Sequence, residues 1–282
     1  MKNTIRTIAV AALAATLVGC SSSSTTTSTA ATSSSEDKKI VIGATAVPHA
    51  EILNDVVKEK VEAEGYELEV VEFTDYIQPN TALEEGELDA NYFETLRYLD
   101  EENEERGLHL VAVAGVHLEP MGIYSKTIDS LDSIPDGATV AIPNDGSNES
   151  RALKLLADNG LITLKDADLY TLEDIDKNPY NFEFYEQEAA SLSRNLDDVD
   201  IEVINGNYAL EADLNPATDA LAAEETDTED AKQYINYLVV REGNEESDKT
   251  KVLIEALQSD EVEQYIEENY SGSVIPAFVT VE

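Results

Sequence analysis

The sequence predicts an α/β protein whose two lobes face a cleft. Three observations support this. Strand-like and helix-like stretches alternate in two successive series, which argues for layered α/β units with a largely parallel sheet. At 282 residues the chain can hold two lobes of modest size. No internal repeat is strong enough to make it a solenoid.

Taken in order, the chain opens with Lys2 and Arg6, a short apolar run (IAVAALAATLV) and small residues up to Cys20. The run is too short for a typical spanning helix and reads as a secretory signal over residues 1–19. LVGC resembles the bacterial lipobox, in which cleavage leaves the cysteine as a lipid-modified N-terminus. Acyl chains such as palmitate on Cys20 would hold the protein at the outer face of the cell membrane. Cys20 is the only cysteine, so the folded part has no internal disulfide and no Cys/His zinc site. Residues 20–37 are almost wholly Ser, Thr and Ala and read as a flexible tether.

The folded part begins at Lys38. KKIVIGAT reads as a strand. HAEILNDVVKEKVEAEG carries Ile52, Leu53, Val56, Val57 and Val61 at helical spacing. YELEVVEF alternates as a strand, NTALEEGELDA reads as a short helix, and LHLVAVAGV and PMGIYS as extended runs. The second series starts near Ser125. TVAIPN leads into a helix with Asn148 near its N-cap and Gly160 as its stop. ADLYTL and NFEFYEQE, a helix over Ala189 to Leu196, and DIEVINGNYAL follow. YINYLVVREG is a further strand, and KTKVLIEALQSDEVEQYIEENY reads as one long helix with an apolar face. That helix needs a sheet to cover, so the C-terminal part is expected to return to the first lobe. The expected division is residues 38–124 plus 236–282 for lobe 1 and 125–235 for lobe 2, with the chain crossings as a hinge.

Charge narrows the ligand. With 59 acidic against 18 basic residues, the formal net charge is −41. Nucleic acid is excluded as a partner, and multiply anionic ligands are disfavoured. A zwitterion escapes most of that repulsion. No GxSxG, Walker-type loop, GxGxxG or HExxH pattern occurs, so no enzyme is expected and no cofactor or metal is called for. His49, His109 and His117 are scattered in sequence, and each reads as structural or exposed.

The stretch IPNDGSNESRALKLLADNG is the strongest candidate for chemistry. A helix N-terminus offers unpaired N–H groups, and Arg151 in the first turns adds a fork suited to a carboxylate. The competing reading is an ordinary capped helix whose arginine pairs with an acid. Beyond other strand ends lie Tyr76, then Asn91, Tyr92, Phe93 and Thr95, then Asn205 and Asn207, and Asn236. Together they offer an arginine for a carboxylate, amides for orientation and aromatics for an apolar side chain.

Five phrases, PHAEIL, FTDYIQPNTALEEGELDANYF, GIYSKTI, VAIPNDGSNESRALKLLADNGLI and INGNYAL, resemble, in order, the methionine-binding lipoproteins of bacterial ABC importers, the NlpA-type family. The resemblance implies a two-lobed periplasmic-binding-protein (type 2-like) fold that closes on methionine and delivers it to a permease driven by an ATPase. It also implies that Arg151 binds the ligand carboxylate and that Asn205 and Asn236 orient the head group. Tyr76, Tyr92 and Phe93 would wall the side-chain pocket, Asn148 would shape the turn, and Asn207 would rank below Asn205 as a contact. One departure stands out: where the family usually carries NYFQH, a proline and YL, this chain reads NYFETLRYL. Thr95 replaces the pocket histidine and Arg97 the proline. A related apolar amino acid, a methionine-containing dipeptide, or a non-transport adhesion or signalling role on the same fold therefore stays open.

Overall fold

The computed structural model describes residues 38–281. The expected signal segment, Cys20 and the tether lie outside these residues. In chain order the elements are β1 (Lys39–Thr45), two π-type turns (Ala46–Ala50 and Leu53–Val57) running into α1 (Lys58–Ala63), β2 (Glu67–Phe73), α2 (Ile77–Glu84), β3 (Ala90–Thr95), α3 (Leu96–Arg106) and β4 (Leu110–Leu118). A second series holds β5 (Gly122–Tyr124), β6 (Thr139–Pro143), α4 (Gly146–Asp158), β7 (Thr163–Leu164), β8 (Ile175–Lys177), β9 (Glu183–Gln187), α5 (Ala189–Asn195), β10 (Ile201–Ile204), α6 (Gly206–Glu211) and β11 (Ala222–Ala223). The chain ends through β12 (Ile235–Arg241), α7 (Asp248–Leu257), α8 (Asp260–Tyr270) and β13 (Ile275–Thr280).

Two main sheets organise two lobes. The first runs β13-β4-β12-β3-β1-β2 and the second β11-β5-β10-β6-β9. Strand β12 is buried on both faces: Leu238 and Val240 join Ile40, Ile42, Leu53, Leu257 and Ile266, whereas Tyr237 and Val239 point to the opposite side with Leu83, Leu88 and Leu99. Alternation along a strand sends successive side chains to opposite layers, so helices cover both faces. In the second lobe Val140, Ile142, Leu153, Leu156 and Val203 fill one layer, and Ala141, Leu192, Ile204 and Tyr208 the other.

Four expectations are corrected. The sheets are mixed, because β12 enters antiparallel between β3 and β4, and β5 enters antiparallel beside β10. Insertion by a distant strand leaves no trace in local periodicity. Strand β5 also belongs to the second sheet, so the first crossing precedes Gly122 and residues 122–124 do not lie in lobe 1. The C-terminal helix is two helices. Ser259 adopts an extended backbone as the cap of α8, and the Gln258 side chain leaves the helix to donate to the carbonyls of Gly115 and Val279. The acidic start of α8 (Asp260, Glu261, Glu263) suits a helix N-terminus. ADLYTL, read as extended, ends in a short 3₁₀ turn at Leu172–Asp174 instead. Among the described residues no helix is long and apolar enough to cross a membrane.

The second sheet carries one conspicuous polar burial. Glu202 on β10 is inaccessible to solvent, and neither carboxylate oxygen has a partner among the described residues. Burial pushes its pKa up to about 8, from 4.5 when unfolded. A raised native pKa means that the group's stabilising contribution is complete below 4.5 and is lost as pH climbs through 8. Glu202→Gln should therefore flatten the fall in stability across that interval. Urea midpoints measured over the same pH range would check it.

Candidate functional site

The cleft between the lobes holds a small cavity of about 30 Å³, lined by residues of both. Lobe 1 supplies Tyr76, Phe93, Glu94, Thr95, Tyr98 and Asn236. Lobe 2 supplies Asn148, Arg151, Asn205, Gly206 and Asn207, and Glu119 comes from the first crossing.

Local chemistry sets each wall. Asp145, not Asn148, caps α4: its carboxylate accepts from the Asn148 backbone N–H at 2.9 Å and from Asn148 Nδ2 at 2.8 Å. That fixes Asn148 so that its Oδ1 accepts from Asn205 Nδ2 at 2.7 Å. Gly160 adopts the left-handed backbone that ends the helix. Two turns into α4's first half, Arg151 is buried. Its Nε and Nη2 donate to the Glu224 carboxylate at 2.8 and 2.6 Å, Nη2 also donates to the Glu119 carbonyl at 2.8 Å, and the Tyr234 ring lies 4.1 Å from the guanidinium carbon. Burial alone would lower the Arg151 pKa, but the charge and hydrogen bonds of Glu224 outweigh it and hold the group firmly cationic. So the arginine does pair with an acid, but a buried one, and the pair leaves Nη1 without a protein acceptor among the described residues.

Part of the cavity wall is aromatic. Tyr76, Phe93 and Tyr98 form a cluster with ring centroids 5.6 to 6.2 Å apart, a surface suited to aliphatic or thioether groups. Tyr76 also reaches across the cleft, donating to Asn207 Oδ1 at 2.5 Å. Thr95 lines the cavity and caps α3, its hydroxyl accepting from the Tyr98 N–H at 3.4 Å. Outside the cavity Glu101 accepts from the Ser147 N–H at 2.7 Å, and Arg97 donates to the Asp168 carbonyl, so α3 grips lobe 2.

Three cavity-lining residues keep buried polar atoms without partners: Asn205 Oδ1, Asn207 Nδ2 and Glu94 Oε1. Glu94 accepts from Asn80 Nδ2 at 2.9 Å through its other oxygen, and burial pushes its pKa to about 8, so it is largely neutral near pH 7. Such orphaned groups are costly unless something else satisfies them.

Seven of the eight ligand-binding candidates thus meet at one cavity: Tyr76, Phe93, Thr95, Asn148, Arg151, Asn205 and Asn236. Tyr92 does not. It faces the other side of β3, fully buried, with its hydroxyl on His117. Its ring packs into the first lobe's core, whereas Phe93, Glu94 and Thr95 at the end of β3 reach the cavity. Sequence reasoning missed Glu119, Glu94 and Tyr98. Glu119 left a signal: His117 and Glu119 are polar residues spaced i, i+2 at the end of an otherwise apolar strand. The histidines read as scattered are not all separate, for His49, His117 and Glu119 offer metal-type ligand atoms within 4.8 Å of one another. His117 Nε2 is already hydrogen-bonded to the Glu119 carboxylate at 2.7 Å, and His49 Nε2 to Asn236 Oδ1 at 3.0 Å.

Residues 40–278 match the model of the family described as NlpA lipoprotein. The chain is 42% identical over 250 residues to the methionine-binding lipoprotein MetQ of Bacillus subtilis strain 168, covering 84% of this chain and 88% of that one. It superposes with a TM-score of 0.81 on a nutrient binding protein from Burkholderia cenocepacia bound to methionine, at 41% identity, covering 85% of this chain and all of that one. An ABC transporter periplasmic substrate-binding protein from Coxiella burnetii is similar at 38% identity, covering 84% of this chain and all of that one, with a TM-score of 0.80.

The Arg151–Glu224 pair yields a direct expectation. Glu224→Ala leaves a buried guanidinium without its carboxylate and should cost about 3–5 kcal/mol of stability. Urea denaturation of both proteins at neutral pH measures it, and a loss under about 1 kcal/mol would mean that the pair is solvated.

Proposed function

The chain belongs to the NlpA lipoprotein family, and from that premise we propose that it is an extracytoplasmic solute-binding lipoprotein that captures methionine or a closely related amino acid for an ABC importer. The observation that carries this reading is the cavity's division of labour. A preorganised guanidinium and unpaired amide atoms line the same cavity as a three-ring aromatic cluster. That is the complement of an amino acid with an apolar side chain.

In this reading Arg151 binds the ligand carboxylate through the nitrogen that Glu224 leaves available. Asn205, Asn207 and Asn236 orient the head group, and Asn148 holds Asn205. Tyr76, Phe93, Tyr98 and Thr95 enclose the side chain. The two lobes move about the crossings near Glu119–Met121 and residues 224–234, and ligand favours the closed arrangement only by its greater affinity for it. The protein turns nothing over: it hands the closed complex to a membrane permease with its ATPase. A lipid on Cys20 keeps it at the membrane.

Thr95 and the unpaired Glu94 oxygen favour a second ligand reading, a methionine-containing dipeptide or another apolar amino acid. Threonine in the wall leaves more room than the imidazole usual in the family.

Two experiments test the assignment. Full-length protein in detergent, freed of bound ligand by unfolding and refolding, is screened by thermal shift against amino acids and dipeptides. A cognate ligand at a hundredfold over its Kd should stabilise it by about 2.7 kcal/mol. If no compound raises the melting temperature, solute capture by this cleft is wrong. Thr95→His should shift preference towards methionine over larger ligands, read as the ratio of their Kd values. An unchanged ratio would remove Thr95 from selectivity.

A further inference from the structure

Helix α4 begins at Gly146 and, like any helix, leaves its first N–H groups without acceptors in its own turns. Asp145, the cap, takes the Asn148 N–H at 2.9 Å. The Ser147 N–H is satisfied from the other lobe: Glu101 Oε2, on α3, accepts it at 2.7 Å. The second oxygen of the same carboxylate lies over Gly146, where an added Cβ would collide with Glu101 Oε1. Partial burial and the like charges of Asp145 and Glu105 raise the Glu101 pKa, and the N–H groups of Ser147 and Gly146 counter them in part.

The two helices joined by this contact carry opposite walls of the cavity. Tyr98, one turn before Glu101 on α3, lines it, and so do Asn148 and Arg151 in the first turns of α4. Glu101 itself lies outside the cavity. Parting the lobes would hand its carboxylate and the Ser147 N–H back to water. Bringing them together sets an anion on the positive end of a 13-residue helix through a charge-assisted hydrogen bond. The other seam contacts differ: Tyr76 meets Asn207 at the cavity itself, and Arg97 meets the main-chain carbonyl of Asp168.

Gly146 is the second half of the device. Glycine is a poorer helix former than alanine, so helix stability does not explain it at the start of α4. Room for a carboxylate from the facing lobe does. The atom that a methyl group would displace is the tip of a flexible side chain, so alanine here would move Glu101 and leave the fold intact.

We propose that Glu101 is a positioning residue for ligand capture: it latches α3 to the N-terminus of α4 in the closed cleft and retains the ligand without touching it, with Gly146 as the seat for its carboxylate. This role rests on the solute-binding reading above and adds to it the contact that sets how long the ligand stays. A contact made only with the lobes together slows opening, and hence release, and leaves encounter with the open cleft unaltered.

Stopped-flow fluorescence and calorimetry with L-methionine, on the full-length protein in detergent, test this. Glu101→Ala should raise the dissociation rate about tenfold and leave the association rate within about twofold of wild type. Gly146→Ala should do the same with Glu101 intact, and its ligand-free urea midpoint should not fall. The double variant should release ligand no faster than either single one, because both remove one contact. Glu101→Gln, which keeps an accepting oxygen, should restore part of the slow release. If Glu101→Ala fails to fold, Gly146→Ala decides. Dissociation rates within about twofold of wild type in both single variants, additive effects in the double variant, or a lowered ligand-free midpoint in Gly146→Ala overturns this proposal alone. A wild type that binds neither L-methionine nor any other free amino acid overturns the solute-binding reading and this proposal together.

Discussion

The buried pairing of Arg151 with Glu224 is the constraint on which the cleft depends. It fixes a long, flexible cation inside the protein by a two-point carboxylate contact, a carbonyl and an aromatic face. Its effects reach both chain crossings. Glu224 Oε2 also accepts from the Met121 N–H at 2.8 Å, and the Glu224 N–H donates to the Met121 carbonyl at 3.0 Å. Arg151 itself donates to Glu119, two residues before Met121. One guanidinium therefore ties the start of the second lobe to the far end of its sheet. An arginine held this way loses little further freedom when it meets a ligand, which is how preorganisation improves affinity.

The two lobes are stiff for an ordinary reason: each has a sheet covered on both faces, with its own apolar core. Contacts between them are mixed: the Tyr76 ring lies 4.9 Å from that of Tyr208, and Leu210 packs against the first lobe's core, beside polar pairs. Tyr76 with Asn207, Glu101 with Ser147 and Arg97 with Asp168 are polar and sit at the cleft's rim or wall. Net hydrogen-bond energies of about 1 kcal/mol each are small enough for a ligand to tip. Two separate cores joined by a few aromatic and polar contacts suit the opening and closing proposed above.

What the sequence disclosed about the site followed from local rules. The turn before α4 was legible because a polar cap, an arginine and a helical apolar stripe are all set within a few residues. The amides at Asn205 and Asn236 were legible as polar groups beside apolar strands. Tyr92 and Phe93 were not separable, because neighbouring aromatics carry no mark of which face will meet a cavity. His49 and His117 looked unrelated at a separation of 68 residues, yet β1 and β4 lie in one sheet and their rings touch.

By itself the sequence determined the α/β class, the acidic composition that disfavours polyanionic partners, and the phrases that place the chain in its family. Those follow from composition, periodicity and short-range order, which do not need a partner strand. Only the tertiary structure decided that β12 inserts between β3 and β4, that β5 belongs to the second lobe, and that Arg151 already holds Glu224. Pairings between distant segments are set by which buried surfaces and charges can satisfy one another once folded. No single stretch of chain contains that information.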